Sequence, residues 1–258
     1  MSRHIVHVTR ARAPYLRALQ ESFAGAMGTH GHLTLMWPER EPSDFPDAAA
    51  IPKADNITVS EAPVGVRLHN GRHLPSAGLW RALAEARPDL IWIHEFSPYT
   101  LGGLLFAKRR GIPVVVSTEV GHANAHFFPW TVRAWHALWG HFADGIIANC
   151  PAARQPLCGE IRPIIDAFHA VDSRDFLPAP NQSHSNVTTF VFVGHLIPRK
   201  GVDLLLDAVV EMKRRGQNHF RLRLIGRDAE QWASASVAQR GLDDIVEMPG
   251  FLSGPALQ

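Results

Sequence analysis

Short, unbroken apolar runs alternate along this chain with longer stretches in which apolar residues return every three to four positions. Ile5–Val8, Leu33–Trp37, Leu90–His94, Val114–Ser117, Gly145–Ala148 and a run near Pro163–Phe168 read as buried strands. Between the first two, Pro14 suits a helix start, and Tyr15, Leu16, Leu19, Phe23 and Met27 share one helical face. Further helices are read from Ser76 to about Ala86, over Thr100–Arg110 and over Trp130–Phe142. Strands apolar on both faces, separated by helices, predict a parallel sheet covered on both sides, a doubly wound α/β domain. Residues 38–56 lack periodicity and read as a surface excursion, and Asn70-Gly71 reads as a turn closing a hairpin.

Residues 173–186 (SRDFLPAPNQSHSN) are rich in Pro, Asn and Ser and form the best linker in the chain. A second α/β unit follows: strand Phe190–Val193, helix Val202–Arg215, strand Arg221–Ile225, helix Gln231–Arg240 and strand Ile245–Met248. Its first helix carries an apolar stripe of Leu204, Leu205, Ala208, Val209 and Met212. The expected organisation is an amino-terminal domain over residues 1–172, a linker over 173–186 and a partial carboxyl-terminal domain over 187–258. That last part has 72 residues (258 − 186), room for about two βαβ units of ~30 residues each.

Composition narrows the function classes. The chain has 258 residues, 26 basic and 24 acidic, and the net charge of +2 does not suggest a nucleic-acid binder. The pI near 8.7 leaves room for weak attraction to an anionic membrane. Cys150 and Cys158 match no zinc or redox spacing and read as reduced thiols. The first strand is interrupted by His7 and is not the apolar core of a signal peptide. No run approaches the ~18 apolar residues of a membrane span. The expectation is a cytoplasmic protein, at most peripheral at the inner membrane face. No G-x-G-x-x-G occurs, which removes the main support for a nicotinamide dehydrogenase.

The segment Val191–Ala208, VFVGHLIPRKGVDLLLDA, carries the most chemistry. It reads as a buried strand, a tight loop holding Arg199 and Lys200, and a helix starting directly behind them. Cations at a helix amino terminus form a phosphate site, because the side chains, backbone N–H groups and helix dipole all attract negative charge. Gly194 and Gly201 would let backbone approach a ligand. In the amino half, Glu119 and Glu95 each follow a strand at the carboxyl edge, where α/β sites form. His122 is close to Glu119, and Arg10 and Arg12 lie in the first strand-to-helix loop. The aromatic run Phe127, Phe128, Trp130, Trp135, Trp139 and Phe142 has the spacing of a core-facing stripe.

The block FVFVGHLIPRKGVDLLLDAVVEM, with LRLIGRD and DIVEMPGF after it, resembles the carboxyl-domain entry of the family-four, GT-B glycosyltransferases. ADGIIANC (Ala143–Cys150) and HAVDSRDF (His169–Phe176) are similar to amino-half motifs of the same family and occur in the same order. The resemblance implies a GT-B-like fold, two Rossmann-like domains face to face, and transfer of a sugar from a nucleotide-diphosphate sugar with retention of configuration. It implies no cofactor and no protein-bound metal, since Arg and Lys neutralise the leaving diphosphate. The partners implied are the nucleotide sugar and a glycan or lipid-linked acceptor. Lys200 falls on the family's diphosphate lysine. Where the family has its second cation, directly after the first glycine, this chain has His195. Arg199 compensates, or His195 is protonated by the phosphate it meets, or donor binding is weakened. Glu119 falls where many members carry a functional histidine, and it or His122 would line the reacting sugar. Arg10 and Arg12 stand where the family often has glycines; they either grip an anionic acceptor or are plain surface charge. The family's pair of acidic residues eight apart lies beyond the last of these motifs, and the sequence stops at Gln258 before that region. The second domain is therefore expected to be incomplete, and a non-catalytic phosphate-binding module is the alternative reading.

Overall fold

The computed structural model describes residues 2–10, 14–39, 52–66, 74, 76–160, 163–169, 186–228, 231–252 and 256. Arg12, the Asn70-Gly71 turn and nearly all of the 173–186 stretch lie outside them. The chain divides into two compact units, Met1–Asp172 and Ser173–Gln258.

The first unit is built on seven strands: β1 (Arg3–Val8), β2 (Gly31–Pro38), β3 (Ile57–Ala62), β4 (Leu90–His94), β5 (Val114–Thr118), β6 (Gly145–Ala148) and β7 (Ile164–Asp166). They pair in the order β3-β2-β1-β4-β5-β6-β7, every pair parallel. The helices are α1 (Pro14–Met27), α2 (Ala77–Ala86), α3 (Pro98–Arg110) and α4 (Trp130–Trp139). Alternate residues of each strand feed two cores. Val6, Val8, Ile91, Ile93, Val114 and Val116 pack with Leu79 and Leu83 of α2 and Leu104 and Phe106 of α3. Leu33, Leu35 and Trp92 point the other way, onto Leu19, Phe23, Ala24 and Met27 of α1. Strand β3 has no counterpart in the sequence reading. Only Ala62 among its residues is buried, so its edge position left no continuous apolar run to recognise.

Strand order reverses at β1, which has β2 on one side and β4 on the other. The carboxyl ends of β1 and β4 therefore diverge into a crevice, the usual ligand site of an open α/β sheet. Behind β4, helix α3 starts with Pro98 in its first turn and a capping box. Ser97 Oγ accepts from the Thr100 N–H (3.1 Å), and the Ser97 N–H donates to Thr100 Oγ1 (2.8 Å). The Thr100 hydroxyl also donates to the carbonyl of Glu95 (2.7 Å), tying the helix start to the end of β4.

The second unit has three parallel strands, β8 (Thr188–Val193), β9 (Phe220–Ile225) and β10 (Val246–Gly250), in the order β10-β9-β8. Helices α5 (Val202–Arg214) and α6 (Trp232–Gln239) connect them. Phe220, Leu222 and Leu224 alternate into a core with Val202, Leu206, Val209 and Val237. Arg221 and Arg223 face outward, Arg223 toward Glu247 at 3.5 Å. The apolar stripe expected on α5 is shifted. Leu204 is 70% exposed and Ala208 is also exposed, whereas Val202, Leu205, Leu206, Val209 and Met212 face inward. Three consecutive leucines left the face ambiguous, and Val202 in the first turn decides it.

Among the described residues no helix is long and apolar enough to cross a membrane. Both cysteines are free thiols. Ser97→Ala removes the acceptor for the Thr100 N–H and is expected to destabilise the first unit by about 1 kcal/mol in urea unfolding.

Candidate active site

In the second unit the backbone builds a tight loop at the carboxyl ends of β8 and β9. The Gly194 N–H donates to the Ile225 carbonyl (2.9 Å), and a Cβ on Gly226 would come within 1.7 Å of the Gly194 oxygen. Leu196, 1% exposed, anchors the loop, and its N–H donates to the Arg227 carbonyl (3.0 Å). Pro198–Lys200 then form one 3-10 turn, closed by Lys200 N–H to the Ile197 carbonyl (3.0 Å) and Gly201 N–H to the Pro198 carbonyl (2.8 Å). Gly201 is left-handed (φ 72°, ψ 20°) and is the N-cap of α5. A side chain there would be strained, which explains glycine at this step.

This places Arg199 and Lys200 in the last turn before a helix amino terminus. Both are exposed, and neither makes an ion pair among the described residues. His195 is exposed in the same loop. The arrangement holds two unneutralised cations and the free N–H groups of α5, a combination suited to an anion. Asp203 in the first turn of α5 is the one nearby carboxylate of that helix start, and it complements the same dipole.

In the first unit the carboxyl edge of β4, β5 and β6 gathers two carboxylates and four histidines. Glu95 follows β4 with φ of +54°, a left-handed conformation uncommon for a residue with a side chain. That backbone turns its carboxylate across the sheet edge. Its Oε2 accepts from Thr118 Oγ1 (2.9 Å), its Oε1 from the Glu119 N–H (2.7 Å), and His136 Nε2 of α4 lies 3.1 Å from Oε2. The last contact is an ion-pair distance off the line of a well-aligned hydrogen bond. Glu119 is held on every side. Its N–H goes to Glu95, while its carbonyl accepts from Asn124 Nδ2 (2.8 Å) and the Cys150 thiol (3.2 Å). Its carboxylate, half exposed, meets His169 Nε2 at 2.8 Å. Gly121 is required beside it, since a Cβ would fall 1.8 Å from the Ala152 oxygen.

A row of imidazoles runs inward from this edge. His169 and His94 have ring centroids 6.2 Å apart, and His94 and His7 the same. His94 Nδ1 bonds Ser117 Oγ (2.9 Å), and His7 stacks on Trp92 at 3.8 Å. Burial holds His7 well below the ordinary 6.5, with His94 adding to the effect. Burial also lowers His94, partly opposed by Glu95 and Glu119 and reinforced by His169. For Glu95 burial pushes the carboxyl up, but His136, the charge of His94 and the Glu119 N–H outweigh it, leaving the group below 4.5. Glu119 is lowered first by its bond to His169, against the opposing effect of burial. At neutral pH the edge therefore presents a fixed carboxylate, Glu119, over uncharged His94 and His7.

Of the residues singled out from sequence, Glu119 and Glu95 are brought together. His122 stays exposed in the turn His122–Phe127, its backbone tied to the Gln155 carbonyl (2.9 Å) and its ring outside this network. Arg10 is exposed just past β1. His94, His136 and His169 were not singled out. His94 and Glu95 do share a strand end, a signal available in the sequence, whereas His136 lay unmarked within an aromatic helix. Asn149, 4% exposed at the end of β6, has neither amide atom hydrogen-bonded among the described residues. The aromatic run is not all core: Trp139 packs inward, but Phe127 and Trp130 are 65% and 72% exposed. No metal-ligand cluster of three acidic, His or Cys residues occurs among the described residues.

Comparison with known proteins identifies the family and the fold. The profile of Glycosyltransferase Family 4 matches residues 22–167, more than half of the chain, and that of Glycosyl transferases group 1 matches residues 173–257. The chain belongs to the family-four, group 1 glycosyltransferases. It is 32% identical over 163 residues to a GDP-mannose-dependent alpha-mannosyltransferase of Mycobacterium tuberculosis (strain CDC 1551 / Oshkosh), covering 57% of this chain and 40% of that protein. The chain thus matches well under half the length of this relative. In fold it is similar to S. aureus MnaA in a co-structure with UDP (TM-score 0.65, 12% identity, 97% of this chain and 69% of that one). It is also similar to WaaG, a glycosyltransferase involved in lipopolysaccharide biosynthesis (TM-score 0.59, 12% identity, 96% and 70%). These likenesses establish a Rossmann-like, GT-B-type fold.

The buried histidines predict acid sensitivity above the carboxylate range. Below about pH 6.5 the unfolded chain takes up protons that folded His7 and His94 refuse, so stability falls as pH drops. Thermal melts are expected to show a declining Tm from pH 7 to pH 5, flattened in a His7→Gln variant. Glu95 and Glu119, lowered in the folded state, add a second loss as pH falls below about 4.5.

Proposed function

We propose that this chain acts in transfer of a hexosyl group from a nucleotide-diphosphate sugar to a hydroxyl of a glycan or lipid-linked acceptor, with retention at the anomeric carbon. The observation that carries the reading is the unneutralised Arg199–Lys200 pair at the mouth of α5, in a chain of this family. As the bond from the anomeric carbon to the diphosphate breaks, charge builds on the leaving oxygen. Two cations and a helix dipole stabilise that charge more in the transition state than in the bound donor. This leaves no need for a protein-bound metal at the diphosphate. The acceptor hydroxyl attacks on the face the diphosphate leaves, and its proton passes to the departing oxygen. Glu119 lines the reacting sugar, where a fixed carboxylate favours the positive charge developing at the ring. Glu95 is a positioning residue that acts through the Glu119 N–H. The mannosyltransferase relative supports a hexosyl donor, and the UDP co-structure of MnaA supports a nucleotide diphosphate as the ligand type.

Calorimetric titration with GDP and UDP tests the anion site. An Arg199→Ala/Lys200→Ala variant is expected to bind about 100-fold more weakly or less, with unchanged circular dichroism because both side chains are exposed. Equal affinity would remove the assignment. If the chain transfers sugar, Glu119→Gln should lower kcat about 10²-fold with little change in donor KM, as expected for a group acting mainly in the transition state. Nucleotide binding without any transfer would favour the phosphate-binding module instead.

A further inference from the structure

Helix α4 leaves a large apolar surface in water. Trp130 is 72% exposed, Phe127 in the turn before it 65%, Leu138 58% and Phe142 46%. Trp130, Arg133, Ala134 and Leu138 follow the three-to-four spacing of one helical stripe, while His136, 5% exposed, and Trp139 face inward. Single exposed apolar residues need no explanation, but four large ones exposed between positions 127 and 142 do.

Charge says what the stripe is suited to meet. From Val120 to Ala143 the chain has no acidic residue, six Trp or Phe, and one Arg, which lies on the exposed stripe. The carboxylates that flank this stretch are both occupied. Glu119 is held by His169 at 2.8 Å, and Asp144 by Lys108 at 2.8 Å. The Lys108 contact also ties the basic last turn of α3 to Asp144, two residues past Phe142. Exposed Trp and Phe with a basic residue among them and no acidic residue in the same stretch suit the boundary between lipid headgroups and acyl chains.

We propose that this face of α4, with the turn before it, docks the first unit on an anionic lipid surface. Phe127 and Trp130 enter the acyl boundary, and Arg133 and the end of α3 lie against headgroup phosphates. The proposal deepens the reading above, since it places the unit carrying Glu119 at the surface where a lipid-linked acceptor resides.

Vesicle flotation with the full chain tests it, using phosphatidylcholine alone and phosphatidylcholine mixed with phosphatidylglycerol. The wild type is expected to float with the mixed vesicles. Trp130→Ser and Phe127→Ser should each lower partitioning about tenfold or more. Arg133→Glu should weaken binding to the mixed vesicles selectively. All three side chains are exposed, so melting curves should be unchanged and loss of fold is separable. A wild type that stays with the lipid-free fraction, or variants that partition like it, would overturn the proposal. So would a dimer in light scattering that Trp130→Ser dissociates without any vesicle binding, which would assign the face to a second copy. Nucleotide titration of the same preparations keeps the two readings apart. Flotation without nucleotide binding sinks the transferase reading alone, and nucleotide binding without flotation sinks this one alone.

Discussion

The carboxylate of Glu95 is where the first unit converts a fold into a site. A parallel strand that ended regularly would leave this side chain roughly perpendicular to the sheet, on one of its faces. Instead the backbone takes a left-handed turn at +54°, a conformation that costs about 1–3 kcal/mol for a residue with a Cβ. That cost is met by contacts around it. The Thr100 hydroxyl of the α3 capping box grips the Glu95 carbonyl, and Thr118, the Glu119 N–H and His136 surround its carboxylate. Three elements, β5, α3 and α4, are thereby referenced to one residue, α3 through its backbone carbonyl and the other two through its carboxylate. Glu119 inherits its backbone position from that network, and its carboxylate is held in turn by His169 at 2.8 Å.

The second unit solves a different problem with different means. An anion site needs positive charge that is not already spent, and here glycine geometry supplies the opening. Gly226 admits the Gly194 carbonyl, Gly201 takes the left-handed step, and α5 can begin directly behind two cations that have no ion-pair partner among the described residues. The two units thus differ in the sign of the charge they expose. One carries exposed cations before a helix start, and the other a half-exposed carboxylate at a sheet edge.

Much of this was legible in the sequence because it rests on local patterns. Continuous apolar runs marked the strands, although β8, read as buried, is an edge strand with Val191 and Val193 57% and 56% exposed; the Gly-His-Leu-Ile-Pro-Arg-Lys-Gly loop showed its turn chemistry directly. What escaped notice depends on contacts distant in sequence. His136 matters because Glu95, 41 residues earlier (136 − 95), lies 3.1 Å away, and no helical period marks it. Strand β3 escaped because an edge strand need not be apolar on both faces. The spacing of Trp135, Trp139 and Phe142 suggested a buried stripe, yet Trp130 and Leu138 occupy the opposite side of the same helix. Periodicity finds a face; it does not tell how many faces are apolar.

The central claim is that the strand-loop-helix of the second unit holds the diphosphate of a nucleotide ligand. Amide chemical shifts of the isotope-labelled chain, followed while a nucleoside diphosphate is added, address it most directly. The account predicts that the largest changes fall on residues 194–203, with the Gly194 and Gly201 amides among them. Changes centred elsewhere, with those two amides still, would contradict it.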